Sequence, residues 1–279
     1  MVTVRRAVQP AQVTVIADGS RRTVPDRLAA EEPMEIRGHG PGQEPVAVAL
    51  TMRTPGHDFA LAVGFLASEG LLEPAGGVAG VAYCTSGQVE QQYNIVTVTT
   101  RAPFVPPVRE RTFVASASCG LCGKTALDEV SVAAAPVTVG PTVGTGVLMG
   151  LPDRLRAAQT VFEQTGALHA AALCRADGTV VVAREDVGRH NAIDKVIGER
   201  ILDPGLDPDG APILAVSGRV SFEVMQKAAV AGIPIVAAVS APTSLAVDVA
   251  RRTGQTLVGF LRDGRATVYA GIERIVEED

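Results

Sequence analysis

The stretch SASCGLCGKT, residues 116–125, holds two cysteines at C-x-x-C spacing, each followed by glycine, with Lys124 just beyond. Four chemistries use such a pair: half a zinc site, a dithiol redox couple, a structural disulfide, or a thiolate that carries a sulfur atom. The start of the chain, MVTVRRAVQP, lacks the apolar run of a signal peptide. No segment reaches the roughly 18–20 uninterrupted apolar residues of a membrane helix. A cytoplasmic protein is expected, and in a reducing compartment its four cysteines are not expected to form structural disulfides.

Zinc is not expected either. A structural site needs a second close pair, yet Cys84 and Cys174 are isolated in strand-like apolar runs, as small core residues would be. The histidines are equally scattered. A deaminase-type site requires H-x-E ahead of P-C-x-x-C, whereas His169 is followed by Ala170-Ala171 and Cys119 follows serine. What remains is a reactive thiol. Glycines around Cys119 and Cys122 leave the sulfurs accessible, and both Lys124 and a short helix expected over KTALDEV would lower a thiol pKa. A dithiol oxidoreductase would carry its pair inside a thioredoxin-like βαβ pattern. This pair instead follows the proline-rich RAPFVPPVRE (101–110), a placement that suits a swinging sulfur carrier better.

A second polar set falls where strands are expected to end. It comprises Arg184-Glu185-Asp186-Val187-Gly188-Arg189-His190-Asn191, Ser217-Gly218-Arg219, Ser240-Ala241-Pro242-Thr243-Ser244, and the turn Arg262-Asp263-Gly264-Arg265. In an open α/β sheet, ligands lie at the carboxyl ends of the strands. Arginine occurs in three of these four segments, and three lead into helix N-termini, which favour anions. Singly, each has a plain reading. Ser217, Thr243 and Ser244 suit helix caps, Asp263-Gly264 suits a hairpin turn, and Glu185, Asp186 and Arg189 suit a solvated ion cluster. Together they point to an anionic, phosphate-bearing ligand. Neither G-x-x-x-x-G-K-[ST] nor G-x-G-x-x-G occurs, so the standard nucleotide loops do not hold it.

The elements that must position these residues are read from pattern and punctuation. The first forty-odd residues are loosely patterned, with short extended pieces such as residues 13–16. VAVALTM (46–52) reads as a strand, and Thr54-Pro55 as the cap and first residue of an amphipathic helix that stops at Gly70. Strands are expected at 78–84 and 92–100, and a connection between two halves at 131–147. A helix over 151–166 closes at Gly166. ALHAAALC and TVVVARED read as strands joined at Asp177-Gly178. GRHNAIDKVIGER places Ala192, Ile193, Val196 and Ile197 on one helical face. PILAVSG, a helix over 219–231, PIVAAVSA, a helix over 243–253 and TLVGFL then alternate strand with helix. The expected fold class is α/β (α+β overall). A smaller N-terminal α+β domain, 1–145, ends in the cysteine loop, and a mixed-sheet α/β domain spans 146–279. Nearly half of the 279 residues are apolar and tryptophan is absent, so the core must be Val, Ala, Leu and Ile, as suits buried parallel strands. The net charge of −5 argues against a general nucleic-acid or membrane-surface binder.

RTPGHDFALAVGFLASEGLL, SCGLCGKT, REDVGRHNAIDKVIG, VSGRVSFEVMQKAAVAGIPIVAAVSAPTSLAV and TLVGFLRDGRATVY, in that order, resemble the formate dehydrogenase accessory sulfurtransferase family over nearly the whole chain. The resemblance implies a sulfurtransferase that takes sulfur from a cysteine desulfurase as a cysteine persulfide. It would deliver that sulfur to the bis-molybdopterin guanine dinucleotide molybdenum cofactor, which formate dehydrogenase needs for activity. The family's persulfide cysteine matches Cys119, Cys122 matches a supporting cysteine, and the cofactor-contacting loop matches Phe260, Leu261, Arg262, Asp263, Gly264 and Arg265. It further implies a second half resembling the cytidine deaminase fold without its zinc, and a homodimer. Two rival expectations are a non-catalytic cofactor-binding chaperone of formate dehydrogenase and a dithiol reductase.

Overall fold

The computed structural model describes residues 6–73, 76–84, 93–106, 113–115, 137, 140–207 and 209–277. Its first feature corrects the expectation of a loosely patterned start. Val8–Ala17 (β1) and Ser20–Ala29 (β2) pair in register as one long hairpin around Asp18-Gly19, both at positive φ. Pro10 and Pro25 interrupt the sequence pattern without ending these strands, because both lie on a two-stranded ribbon where one side of each strand needs no partner.

Glu32–His39 (β3), Val46–Arg53 (β4), Val78–Tyr83 (β5), Ile95–Thr100 (β6) and Phe113–Ala115 (β7) form a sheet of order β5-β6-β3-β4-β7. Asp58–Ser68 (α1) covers it, with Leu61, Phe65 and Leu66 packed in one cluster with Met34, Ile36, Val96 and Val98. The expected start at Pro55 is not used. His57, in the left-handed region at φ 56°, stands immediately before the helix. Nor is α1 amphipathic: it is buried almost all round, as a helix packed on two sides must be.

The larger unit begins with Val143–Gly144 (β8), Thr145–Ala157 (α2) and Thr160–Thr165 (α3), so the helix expected over 151–166 is two helices separated at Gln159. β8 pairs with Ile275–Val276 (β15) near the other end of the chain, and Val143 already lies in the core beneath α2. His169–Cys174 (β9), Val180–Asp186 (β10), Arg189–Leu202 (α4), Ile213–Val216 (β11), Phe222–Val230 (α5), Ile235–Ala238 (β12), Ser244–Thr253 (α6), Thr256–Arg262 (β13) and Arg265–Ala270 (β14) complete it. The six-stranded sheet has order β10-β9-β11-β12-β13-β14. β9 is antiparallel to both neighbours and β11, β12 and β13 are parallel, so β10, β11, β12 and β13 all point one way. Alternate strand residues face opposite layers. Ala171, Leu173, Leu214 and Val236 pack with α4, α5 and α6, while Ala170, Ala172, Ile213 and Ile235 pack with α2. A sheet covered on both faces explains why its strands are short apolar runs without polar alternation.

The two sheets are joined through α1 and α4, which cross at Gly64 and Gly198. A β-carbon on Gly64 would overlap the carbonyl oxygen of Asp194, and one on Gly198 that of Ala60. Only hydrogen fits between these backbones. Beneath the crossing, Lys227 Nζ lies 2.9 Å from Asp194 Oδ1 and 2.8 Å from Ser68 Oγ, linking α5, α4 and α1 away from water. Burial is the largest influence on both groups. It raises the Asp194 pKa, and for Lys227 it is outweighed by Asp194 and Glu69, so that pKa rises as well.

Candidate functional site

The chain directions place the carboxyl ends of β10, β11, β12 and β13, and the starts of β9 and β14, along one edge of the large sheet. All four polar segments singled out in the sequence reach that edge. Their roles there differ.

The β10–α4 turn is mostly architecture. Asp186 is buried, not solvated. Its Oδ2 lies 2.7 Å from Lys195 Nζ and accepts from Thr54 N–H at 3.1 Å, while its Oδ1 accepts from Gly188 N–H at 2.9 Å and Asn191 Nδ2 at 3.0 Å. Thr54 is therefore no helix cap. Its hydroxyl accepts from Val187 N–H at 3.2 Å and its carbonyl accepts from Lys195 at 2.9 Å. Asn191 also donates to the Met52 carbonyl at 2.8 Å and accepts from the Thr51 hydroxyl at 3.3 Å. These bonds fasten the end of β4 to the end of β10. Glu185 accepts from the Val161 and Phe162 N–H groups at 2.8 and 2.7 Å, capping α3 from another segment. Ser217 accepts from Ala170 N–H at 2.9 Å, and of the three expected caps only Thr243 receives a helix N–H, that of Ala246, at 3.3 Å.

Arginines occupy the rest of the edge. Arg189, Arg219, Arg262 and Arg265 have no ion-pair partner among the described residues. By contrast, buried Arg53 holds Asp58 at 2.9 Å and Arg184 holds Glu199 at 3.0 Å. Of the nearby carboxylates, Asp186 is engaged with Lys195, Glu185 with α3 and Glu223 with His190 at 2.9 Å, which leaves the exposed Asp263 facing the four arginines. That hydrogen bond to His190 holds Glu223 below the usual carboxylate range. The imbalance leaves this edge positive in a chain whose net charge is −5.

The β13–β14 turn projects from the same edge. Asp263 and Gly264, at φ 54° and 69°, form the tight turn their sequence predicts. Phe260 does what its sequence does not predict. It adopts φ 51°, a backbone conformation rare for an aromatic residue, within an irregularity in the β13–β14 register between Gly259 and Arg262. Its N–H donates to the Ser240 carbonyl at 3.0 Å, and its ring turns outward with 37% exposure. The Arg262 guanidinium lies 5.9 Å from that ring's centre. Leu261 points inward and joins the core beneath α2, so only its backbone can face a ligand. Arg262, Asp263, Gly264 and Arg265 are exposed.

Cys119 and Cys122 lie outside the described residues. The strand that leads to them is described: β7 runs parallel to β4, with Ala115 opposite Thr51. Cys174 is buried in the core, and burial pushes its thiol up to about 12, making it unreactive at neutral pH. Cys84 is partly exposed rather than a core residue. Among the described residues no group of His, Cys, Asp and Glu is arranged to hold a metal ion, and no helix is long and apolar enough to cross a membrane.

Against this geometry, comparison with known proteins gives a consistent result. A family model described as the FdhD/NarQ family matches residues 29–276. Sulfur carrier protein FdhD of Streptomyces avermitilis is 51% identical over 281 residues, covering 97% of this chain and 96% of that protein. The protein of that name from Mycobacterium tuberculosis is 48% identical over 263 residues, covering 91% and 93%. A crystal structure from Desulfotalea psychrophila, described as a formate dehydrogenase accessory protein, superposes with a TM-score of 0.76 at 24% identity, covering 97% of this chain and 100% of that one. That likeness supports the mixed α+β fold.

Proposed function

Because the chain belongs to the FdhD/NarQ family, we propose that it carries sulfur, as the relatives called sulfur carrier protein FdhD are named for doing. The cargo is a persulfide on Cys119. The thiolate of Cys119 attacks the terminal sulfur of a cysteine desulfurase persulfide, a new S–S bond forms, and the desulfurase thiolate leaves. The acceptor is the bis-molybdopterin guanine dinucleotide molybdenum cofactor of a formate dehydrogenase, bound as substrate. On delivery Cys122 attacks the inner sulfur of Cys119. The bond to the terminal sulfur breaks with its electron pair on that sulfur, which passes to the cofactor as sulfide. A disulfide remains, which a dithiol reductant resets.

The observation that carries this reading is the unpaired arginine edge beside an outward-turned Phe260. Phosphates match the arginines in charge and in hydrogen-bonding geometry, and a flat guanine matches an exposed ring flanked by a guanidinium. The cysteine segment leaves β7 at Ala115, opposite Thr51, and Thr51 bonds to Asn191 in the first turn of α4. A cytoplasmic homodimer acting as a sulfurtransferase completes the proposal.

Intact-mass analysis after incubation with a desulfurase and cysteine tests it. One added sulfur on Cys119 supports the carrier. No added sulfur would make the protein a cofactor-binding chaperone instead, and a disulfide without added sulfur would make it a dithiol reductase.

A further inference from the structure

We infer that the β1–β2 hairpin is an arm through which two copies of this chain associate, each hairpin lying face to face and antiparallel on the same hairpin of the other copy. The inference rests on the homodimer reading above and assigns it a surface.

Each strand of the hairpin has 10 residues and so reaches about 33 Å. No residue of either strand is buried within its own chain. An isolated two-stranded ribbon is marginally stable at best in water, so a second surface is needed to cover it. Along each strand, residues alternate between faces, and directly paired residues share a face. Val8, Pro10 and Arg27 therefore lie on one face. They border α3, where Arg27 Nη1 donates to Gln164 Oε1 at 3.0 Å. The opposite face carries Ala11, Val13, Val15, Val24 and Leu28. Leu28 is 50% exposed, and the three valines are only half-buried.

That face has two charges, Arg22 and Asp26, both exposed and neither with an ion-pair partner among the described residues. Arg22 pairs with Val15 and Asp26 with Ala11, so they stand at equal distances on either side of the Val13–Val24 pair. This spacing makes the face complementary to itself. A twofold axis crossing the ribbon at Val13–Val24 stacks Val13 on the partner subunit's Val13 and sets Val15 over the partner subunit's Ala11. The same axis puts Arg22 over the partner subunit's Asp26, and the symmetry makes that contact twice. A patch that matches its own copy in apolar surface and in charge is what an isologous contact requires. Because the two charges cancel, the face has nothing to attract a nucleic acid or an anionic membrane.

Sedimentation velocity on the full chain tests the arm. Wild type should sediment as a dimer. Arg22→Asp and Asp26→Arg each set like charges face to face, and each should weaken dimerisation by at least about tenfold. Mixed together, the two variants should form a heterodimer, because every charged contact then joins an aspartate to an arginine. Both residues are exposed, so the circular dichroism of each variant should match that of wild type. Single variants that dimerise as tightly as wild type would overturn the arm and leave a homodimer formed through another surface. Weakened variants that fail to recombine would overturn the face-to-face register. A wild type that stays monomeric at every concentration would overturn the arm and the homodimer together.

Discussion

Lys195 Nζ sits 2.7 Å from Asp186 Oδ2 with both side chains removed from water, and the same carboxylate receives the backbone N–H of Thr54 from the other sheet. This pair is a second joint between the halves, beside the α1–α4 crossing. Breaking a buried pair leaves an uncompensated charge, so Lys195→Met should lower stability by about 3–5 kcal/mol in urea unfolding. Adding Asp186→Asn should restore at least about 1 kcal/mol by removing the stranded charge. An unchanged midpoint for Lys195→Met would show that the joint is not held here.

The helix crossing makes a sharper demand. Gly64→Ala must push α1 away from the Asp194 carbonyl and should cost at least about 3 kcal/mol or prevent folding. Gly80→Ala, where a β-carbon meets nothing within 4 Å, is the control and should stay within about 0.5 kcal/mol. Equal melting temperatures for the two variants would contradict the close-packed crossing.

Protonation should report on the positive edge. His57 and His169 are both held below the ordinary value of 6.5, in each case first by burial, with Arg184 acting on His57 and Arg189 on His169. The unfolded chain therefore binds these protons at higher pH than the folded one. Their contribution is present above pH 6.5 and is lost as pH falls through the folded-state values. Stability should rise with pH across this window, and His169→Gln should flatten the slope. A slope that survives both His169→Gln and His57→Gln would place its origin elsewhere.

Phe260 should show a trade between stability and binding. Its left-handed backbone suits glycine, so Phe260→Gly should be more stable than Phe260→Ala by about 1 kcal/mol. Both should lose GDP affinity by at least about fivefold, since each removes the ring. Glycine and alanine variants of equal stability would show that the backbone there is not strained.

Much of this was legible in the sequence, for physical reasons that also mark the limits. Asp263-Gly264 announced its turn because both residues tolerate positive φ, and Ala192, Ile193, Val196 and Ile197 announced a buried face by spacing alone. Thr54-Pro55 misled, because a threonine before proline has the composition of a helix start while its actual partners, Asp186 and Val187, lie more than 130 residues away. The solvated cluster of Glu185 and Asp186 misled in the same way: charge is visible in sequence, but the cation or helix end that neutralises it is not. The sequence placed Arg189 and Arg219 at strand ends, but only the folded chain, in which β9 runs antiparallel to β10, brings the start of β9 and His169 to the same edge. Phe260 left no signal at all, since nothing in an aromatic residue's type suggests a left-handed backbone.

The most direct measurement follows labelled sulfur to its acceptor. Wild-type protein, a cysteine desulfurase and sulfur-labelled cysteine are incubated with formate dehydrogenase that lacks cofactor sulfur, and the label recovered with the molybdenum cofactor is counted alongside formate oxidation. Wild type should transfer label and restore activity, and Cys119→Ala should do neither while keeping its fold. A Cys119→Ala protein that sulfurates the dehydrogenase as fully as wild type would contradict the persulfide carrier.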